Sequence, residues 1–361
     1  MMKYVKKYPR KIFLDFIVTY LLPVFILAGC GTTDSGELIT LKGSWSPEGL
    51  EEMKINVLEP DGDELIIGTE TGLFFLEQEN ITFLGLADYG IRGAVRTGDQ
   101  SLLVGVNRID DDHPAFFRWQ SENSGWEPFQ NNYGGDEGLN YVYRLESTEK
   151  SSDTLFTRGC GTAKSYDGGI SWEPVGGSWD CLAGLETLLH IDSFHPGRVW
   201  IGGVTGISQP LLIKSDDYGE SWTNVTEGLS DNVEAVAYDV MTHPDDPQRV
   251  LAGLGGTIAA SNKVMKSTDG GENWEKVLEN TGVHTFARSL QHPDLVYASG
   301  RDPSTKLFFA YTTDFGETWE KQIFEEGPDI VTTNDMEVMI IDGKEVIFFG
   351  TDKGLFTFVI D

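Results

Sequence analysis

Positive charge is what this sequence lacks most. Lys and Arg number 27 against 57 Asp and Glu, a formal net charge of −30 over 361 residues. Clustered Lys and Arg are needed to neutralise phosphates, so a nucleic-acid partner is not expected. The same deficit argues against docking on an anionic membrane through a basic patch, and the acidity is read as solubility. Cysteine is nearly as scarce, with only Cys30, Cys160 and Cys181. No Cys-x-x-Cys or nearby His pair accompanies them, so neither a metal site nor a cofactor is expected. Long apolar runs are missing too. The longest, 16–28, is short for a membrane span.

That run follows Lys3, Lys6, Lys7, Arg10 and Lys11 and ends in Leu27-Ala28-Gly29-Cys30, the order of a targeting segment. Asp15 is its one discordant residue. Leu-Ala-Gly-Cys resembles the bacterial lipobox. The resemblance implies a signal peptide over 1–29, lipid on Cys30 and a small polar tether over 30–37. It also implies a place in the bacterial cell envelope, outside the cytoplasm, with membrane contact through the N-terminal lipid only. Export would put Cys160 and Cys181 where thiols pair. They flank one hairpin, and a disulfide there would stabilise by roughly 3 kcal/mol in the chain-entropy model.

What is present is a repeated turn. SYDGGISW (165–172), SDDYGESW (215–222), STDGGENW (267–274) and TTDFGETW (312–319) share Ser/Thr-x-Asp-x-Gly-x-x-Trp. Ser165, Ser215, Ser267 and Thr312, with Asp167, Asp217, Asp269 and Asp314, are suited to accept turn amides. Gly169, Gly219, Gly271 and Gly316 allow positive φ, and Trp172, Trp222, Trp274 and Trp319 are large apolar plugs. The pattern resembles the Asp-box, or BNR, repeat of sialidase-like β-propellers. The proteins that share it include photosystem II assembly factors and sortilin-type receptors. In such proteins the boxes lie on the outer rim and are structural.

The box spacing suits four-stranded blades. His195-Pro196, His243-Pro244 and His292-Pro293 recur in phase and are read as turns, because equivalent positions in successive blades cannot converge on a metal. LIIGTETGLF (65–74) and VIFFGTDKGLF (346–356) read as blades without a box, and 115–126 as one with an eroded box. Seven blades are expected, beginning near 54, 91, 140, 186, 233, 283 and 334. The fold class is all-β, a single seven-bladed propeller over 38–361, expected as a monomer. The last blade lacks a fourth strand, which 38–45 (LITLKGSW) would supply, closing the ring and placing Trp45 where a box Trp sits.

Ligands in propellers approach the loops between second and third strands and between blades. Those loops carry Arg92, Asp111, Tyr133, Asp136, Trp179, Asp231, His284, Arg301 and Asp335, together with Asn131 and Asn132. This acidic, aromatic-bearing axial face suits an unknown glycan or protein ligand. A sialidase would need three arginines, one in an Arg-Ile-Pro-like motif of the first blade, and a Tyr–Glu pair. No Arg lies between Arg10 and Arg92, and Tyr297 and Tyr311 read as packing residues. Xyloglucanase-like enzymes place a carboxylate pair between two propellers, and this chain has room for one. The expectation is a lipid-anchored binding or assembly platform. The alternative is a sialidase-like exo-glycoside hydrolase with a diverged site.

Overall fold

The computed structural model describes residues 41–107, 113–120, 125–135, 142–148, 151–159, 161–175, 184–229, 234–302 and 305–361, all within the unit Ile39–Asp361. The described strands form seven four-stranded antiparallel sheets. Strand β1 (Gly43–Gly49) belongs to the last of them. Blade 1 holds β2 (Ile55–Asp61), β3 (Glu64–Thr69), β4 (Gly72–Glu77) and β5 (Asn80–Gly85). Blade 2 holds β6 (Gly90–Arg96), β7 (Leu102–Asn107), β8 (Phe116–Trp119) and β9 (Trp126–Pro128). Blade 3 holds β10 (Arg144–Thr148), β11 (Ser151–Arg158), β12 (Thr162–Ser165) and β13 (Glu173–Pro174). Blade 4 holds β14 (Gly184–Ile191), β15 (Val199–Thr205), β16 (Pro210–Ser215) and β17 (Thr223–Asn224). Blade 5 holds β18 (Val236–His243), β19 (Asp246–Gly255), β20 (Lys263–Ser267) and β21 (Glu275–Glu279). Blade 6 holds β22 (Gly282–Arg288), β23 (Val296–Arg301), β24 (Phe308–Thr312) and β25 (Glu320–Ile323). Blade 7 holds β26 (Thr333–Ile341), β27 (Lys344–Thr351) and β28 (Gly354–Ile360), completed by β1.

The first strand of each blade touches the first strand of the next, and β26 touches β2, so the first strands surround an axis. A run of apolar residues ending in a small one makes this approach possible. Gly68 and Gly253, on second strands, have no room for a Cβ. It would lie 2.8 Å from Ile91 and 2.8 Å from Val283 of the following blade. Six of the seven first strands also bulge at one place: Asn56, Arg92, Thr187, Tyr238, His284 and Asn334. A bulge re-aims its side chain, and at Asn56 and Asn334 that side chain stitches blades together. Asn56 Nδ2 donates to Ile91 O and Asn334 Nδ2 donates to Ile55 O, each across a blade boundary.

The ring closes through β1, which pairs antiparallel with β28 from Gly43↔Ile360 to Gly49↔Leu355. The closing strand is Gly43–Gly49, further along than the expected 38–45. Leu41 is drawn out of the sheet into the core, and its amide donates to Tyr311 Oη at 3.1 Å. Trp45 stacks on Phe324 of blade 6 at 5.3 Å between ring centres.

Candidate functional site at the axis

The four Asp-boxes are self-contained turns between third and fourth strands. In each, the Ser or Thr oxygen accepts from the Gly amide at 2.7–2.9 Å and donates to the Asp carboxylate at 2.7–2.8 Å. The Asp then accepts from the amide and side chain of the residue four places on: Ser171, Ser221, Asn273 or Thr318. The Ser221 hydroxyl and amide hold Asp217 at about 2, and Asn273 does the same for Asp269. Trp172 is buried, whereas Trp222, Trp274 and Trp319 are half-buried, so three of the four plugs remain partly open to solvent.

Each box also closes the junction with the preceding blade. A cation on that blade's third strand reaches it. Arg118 Nη2 donates to Gly168 O at 3.2 Å, Lys164 Nζ to Glu220 at 2.5 Å, Lys214 Nζ to Gly270 O at 2.7 Å, and Lys266 Nζ to Glu317. The register puts Phe75, Tyr311 and Thr357 at the same position in blades 1, 6 and 7. The cation is therefore present where a box follows and absent where none does.

Charge collects at the axis. Arg144 donates from Nε to Glu146 at 2.8 Å, and its Nη1 lies 3.5 Å from Asp335. Three carboxylates cap amides of the next blade's first strand. Glu146 accepts from Ile191 at 3.1 Å, Asp239 from Phe286 at 2.7 Å and Asp335 from Leu58 at 2.9 Å. Glu59 and Glu337 share the cluster. Burial, reinforced by Glu146, raises Glu59 to about 8, and burial raises Asp239 to about 6. Burial also raises Asp335 and Glu337, with Asp335 adding to the shift of Glu337. Arg144 stays protonated because Asp335 and Glu146 outweigh its desolvation. One cation thus faces five carboxylates.

Two cavities meet at this cluster. One of about 160 Å³ is lined by Tyr238, His284 and Asn334, from the starts of first strands. The other, of about 250 Å³, is lined by His190, Arg288 and Glu337, from their later parts. Arg144, Asp239, Thr285 and Asp335 line both. The rings of Tyr238 and His284 touch in the wall of the first cavity, 4.2 Å apart and tilted by 34°. Burial, with Arg301 nearby, lowers His284 to about 4, so the ring is neutral at pH 7.

Of the residues expected on a ligand face, His284 and Asp335 line this site, and Arg301 is exposed beside His284. Arg92 is tied up two ways, donating to both oxygens of Glu70 at 3.1 Å. Tyr133 is a correction: it is buried edge-on to Phe116 and Trp172. Asn131 and Asn132 hold the first box, through Gly169 O and the Trp172 backbone, rather than a ligand. Asp111, Asp136, Trp179, Asp231, Cys30, Cys160 and Cys181 lie outside the described residues. Sequence reasoning missed Glu59, Arg144, Glu146, Tyr238, Asp239 and Glu337. A charged residue interrupting the apolar first strand of a blade was the available signal. Tyr297 and Tyr311 each meet a carboxylate, Glu345 and Glu320, but are buried within blade 6 away from these cavities.

The BNR/Asp-box repeat family model matches residues 310–321. No curated protein matches the chain. Among solved structures, YCF48 bound to D1 peptide is similar at 13% identity and a TM-score of 0.61, covering 90% of this chain and 98% of that one. YCF48 from Cyanidioschyzon merolae aligns at 11% identity and a TM-score of 0.61, covering 87% and 98%. The GH74 xyloglucanase from Xanthomonas campestris aligns at 16% identity and a TM-score of 0.63, covering 87% of this chain but 53% of its own, so this chain spans about half of that enzyme. At such identities the likeness is one of fold. The chain folds as a seven-bladed β-propeller, and its blade 6 turn matches the BNR/Asp-box repeat.

Proposed function

We propose that this protein is a lipid-anchored binding module of the cell envelope that holds a cationic segment of a partner polypeptide at its axis. The observation that carries the reading is the charge imbalance there: Glu59, Glu146, Asp239, Asp335 and Glu337 gather around Arg144, and Arg288 is the other guanidinium lining the larger cavity. The cluster relieves its own repulsion by holding protons. A ligand ammonium or guanidinium supplies the missing charge and releases them. The touching rings of Tyr238 and neutral His284 offer an apolar wall to the ligand's aliphatic stem. That a propeller of the same architecture has been solved with a peptide bound is consistent with this use. The hydrolase alternative draws support from the xyloglucanase likeness, which is one of fold, while the Tyr–Glu pairs lie away from the axis.

The test is fluorescence anisotropy with a labelled, uncapped Lys-Gly-Lys-Gly-Lys peptide and its Glu counterpart. Asp239 and Glu59 lose protons as pH rises through about 6 and about 8, and each loss adds negative charge. Affinity for the lysine peptide should therefore climb from pH 5 to pH 8, and Asp239→Asn should weaken it about tenfold. Equal binding of both peptides would overturn the reading. So would turnover of aryl glycosides that Asp239→Asn abolishes in a folded protein.

A further inference from the structure

A cavity larger than either of the two at the axis lies away from them. It is a groove of about 610 Å³ between blades 7 and 1, walled by Pro60, Leu65, Leu76, Met339, Ile341 and Phe348. Its position explains why it is open. At boxed junctions the box glycine lies against the preceding blade: Gly169 on Leu103, Gly219 on Phe156 and Gly316 on Leu251. The register makes Phe348 the blade 7 counterpart of those three residues. Blade 1 brings no box to cover it. Its third and fourth strands are joined by the two-residue turn Gln78-Glu79, closed by Glu77↔Asn80. The strand position that elsewhere supplies the clasping cation is Thr357, whose hydroxyl donates to Glu48 at 2.7 Å.

We propose that this groove is a second docking site, taking an apolar segment of a partner protein flanked by lysine or arginine. Leu290, Ile340 and Ile341 stand 55%, 46% and 38% exposed along it, a continuous apolar surface rather than scattered residues. Its ionisable lining residues, Asp63, Glu337 and Asp342, are all acidic, with Asp63 and Asp342 at the rim and no cation among the described lining residues. Apolar walls under an acidic rim select a segment with apolar side chains inward and basic ones at its ends. The groove shares Leu290, Glu337 and Val338 with the larger axial cavity, so one partner can occupy both.

The probe is a labelled Lys-Leu-Phe-Ile-Leu-Lys peptide, compared with versions carrying Glu for Lys or Ser for the apolar residues. Saturable binding should appear for the first alone. Ile341→Lys should weaken it at least tenfold and Asp342→Lys several-fold; Ile341 is the last residue of β26 and Asp342 begins the turn after it, and both are exposed. Ile207→Lys, on an exposed loop of blade 4, should have no effect. Asp239→Asn should leave this binding unchanged while weakening that of the lysine–glycine peptide about tenfold, and Ile341→Lys should do the reverse, so the two sites stand or fall separately. No saturable binding up to 1 mM, or binding indifferent to Ile341→Lys, would overturn the proposal. Self-association, or attachment to phosphatidylcholine vesicles, that Ile341→Lys abolishes would overturn it in favour of a second copy or a bilayer.

Discussion

Blades 3 to 6 and the arc from blade 7 to blade 1 solve the same packing problem differently. In the boxed arc an eight-residue turn covers each junction from outside, and a cation of the preceding blade, buried at Lys164 and Lys266 and half-buried at Arg118 and Lys214, fastens it. Lys266 is only 1% exposed, yet its amine reaches the exposed Glu317. Its aliphatic stem packs between blades, and its buried amine is neutralised by that surface carboxylate. Blade 7 meets blade 6 without a box as well, and that junction is held instead by aromatic packing, Trp45 against Phe309, Phe324, Phe349 and Phe358. Boxes are therefore more than decorations of the rim. They are lids over inter-blade grooves, and where lids are missing the grooves remain as cavities, of about 610 Å³ between blades 7 and 1 and about 430 Å³ beside Leu41.

The comparison can be broken by substitution. Trp172→Ala, at a site 3% exposed, should cost roughly 3–5 kcal/mol by urea denaturation, and the half-buried Trp45→Ala roughly 2. A larger loss at Trp45 would mean that the closing strand, not the boxed arc, dominates stability. Next, Lys266→Ala should cost about 3 kcal/mol through lost stem packing, whereas Thr357→Ala at the equivalent position should cost about 1 or less. Equal losses would show that the clasp does nothing a hydroxyl cannot. Smallest, replacing Gln78-Glu79 by an Asp-box turn with Thr357→Lys should raise stability by about 1 kcal/mol. That graft should also shut out the Lys-Leu-Phe-Ile-Leu-Lys peptide. A folded graft that still binds it would separate the groove from the missing lid.

Much of this architecture was legible because the information is local. Asp, Gly and Trp at fixed offsets state a turn without reference to the rest of the chain, and the apolar runs ending in Gly mark second strands. Even the clasp was written down, since Lys164, Lys214 and Lys266 each stand directly before the box Ser. What hid it was that their partners lie about fifty residues away on another blade. The axial cluster was hidden for a related reason. A lone Asp239 or Glu146 in a strand looks like an outward-facing alternate, and only closing the ring brings it to Arg144 and Asp335. Tyr133 misled in the opposite sense. A tyrosine in a blade connector reads as available, but Asn132 binds the Trp172 backbone and draws the connector inward.

The pairing of β1 with β28 also sets an order of events in folding. Residues 43–49 are made early, but their partners are 355–360. Blades 1 to 6 can each form from contiguous chain as it appears. The seventh cannot finish until residue 360 is free to receive the waiting strand. Until then the edge of β28 is open and the rings around Trp45 have nothing to enclose. That step joins segments more than 300 residues apart, so its loop-closure entropy is the largest any sheet pairing here demands. The moment of greatest exposure to aggregation accordingly comes late, when nearly the whole propeller is built but its seam is not yet sealed.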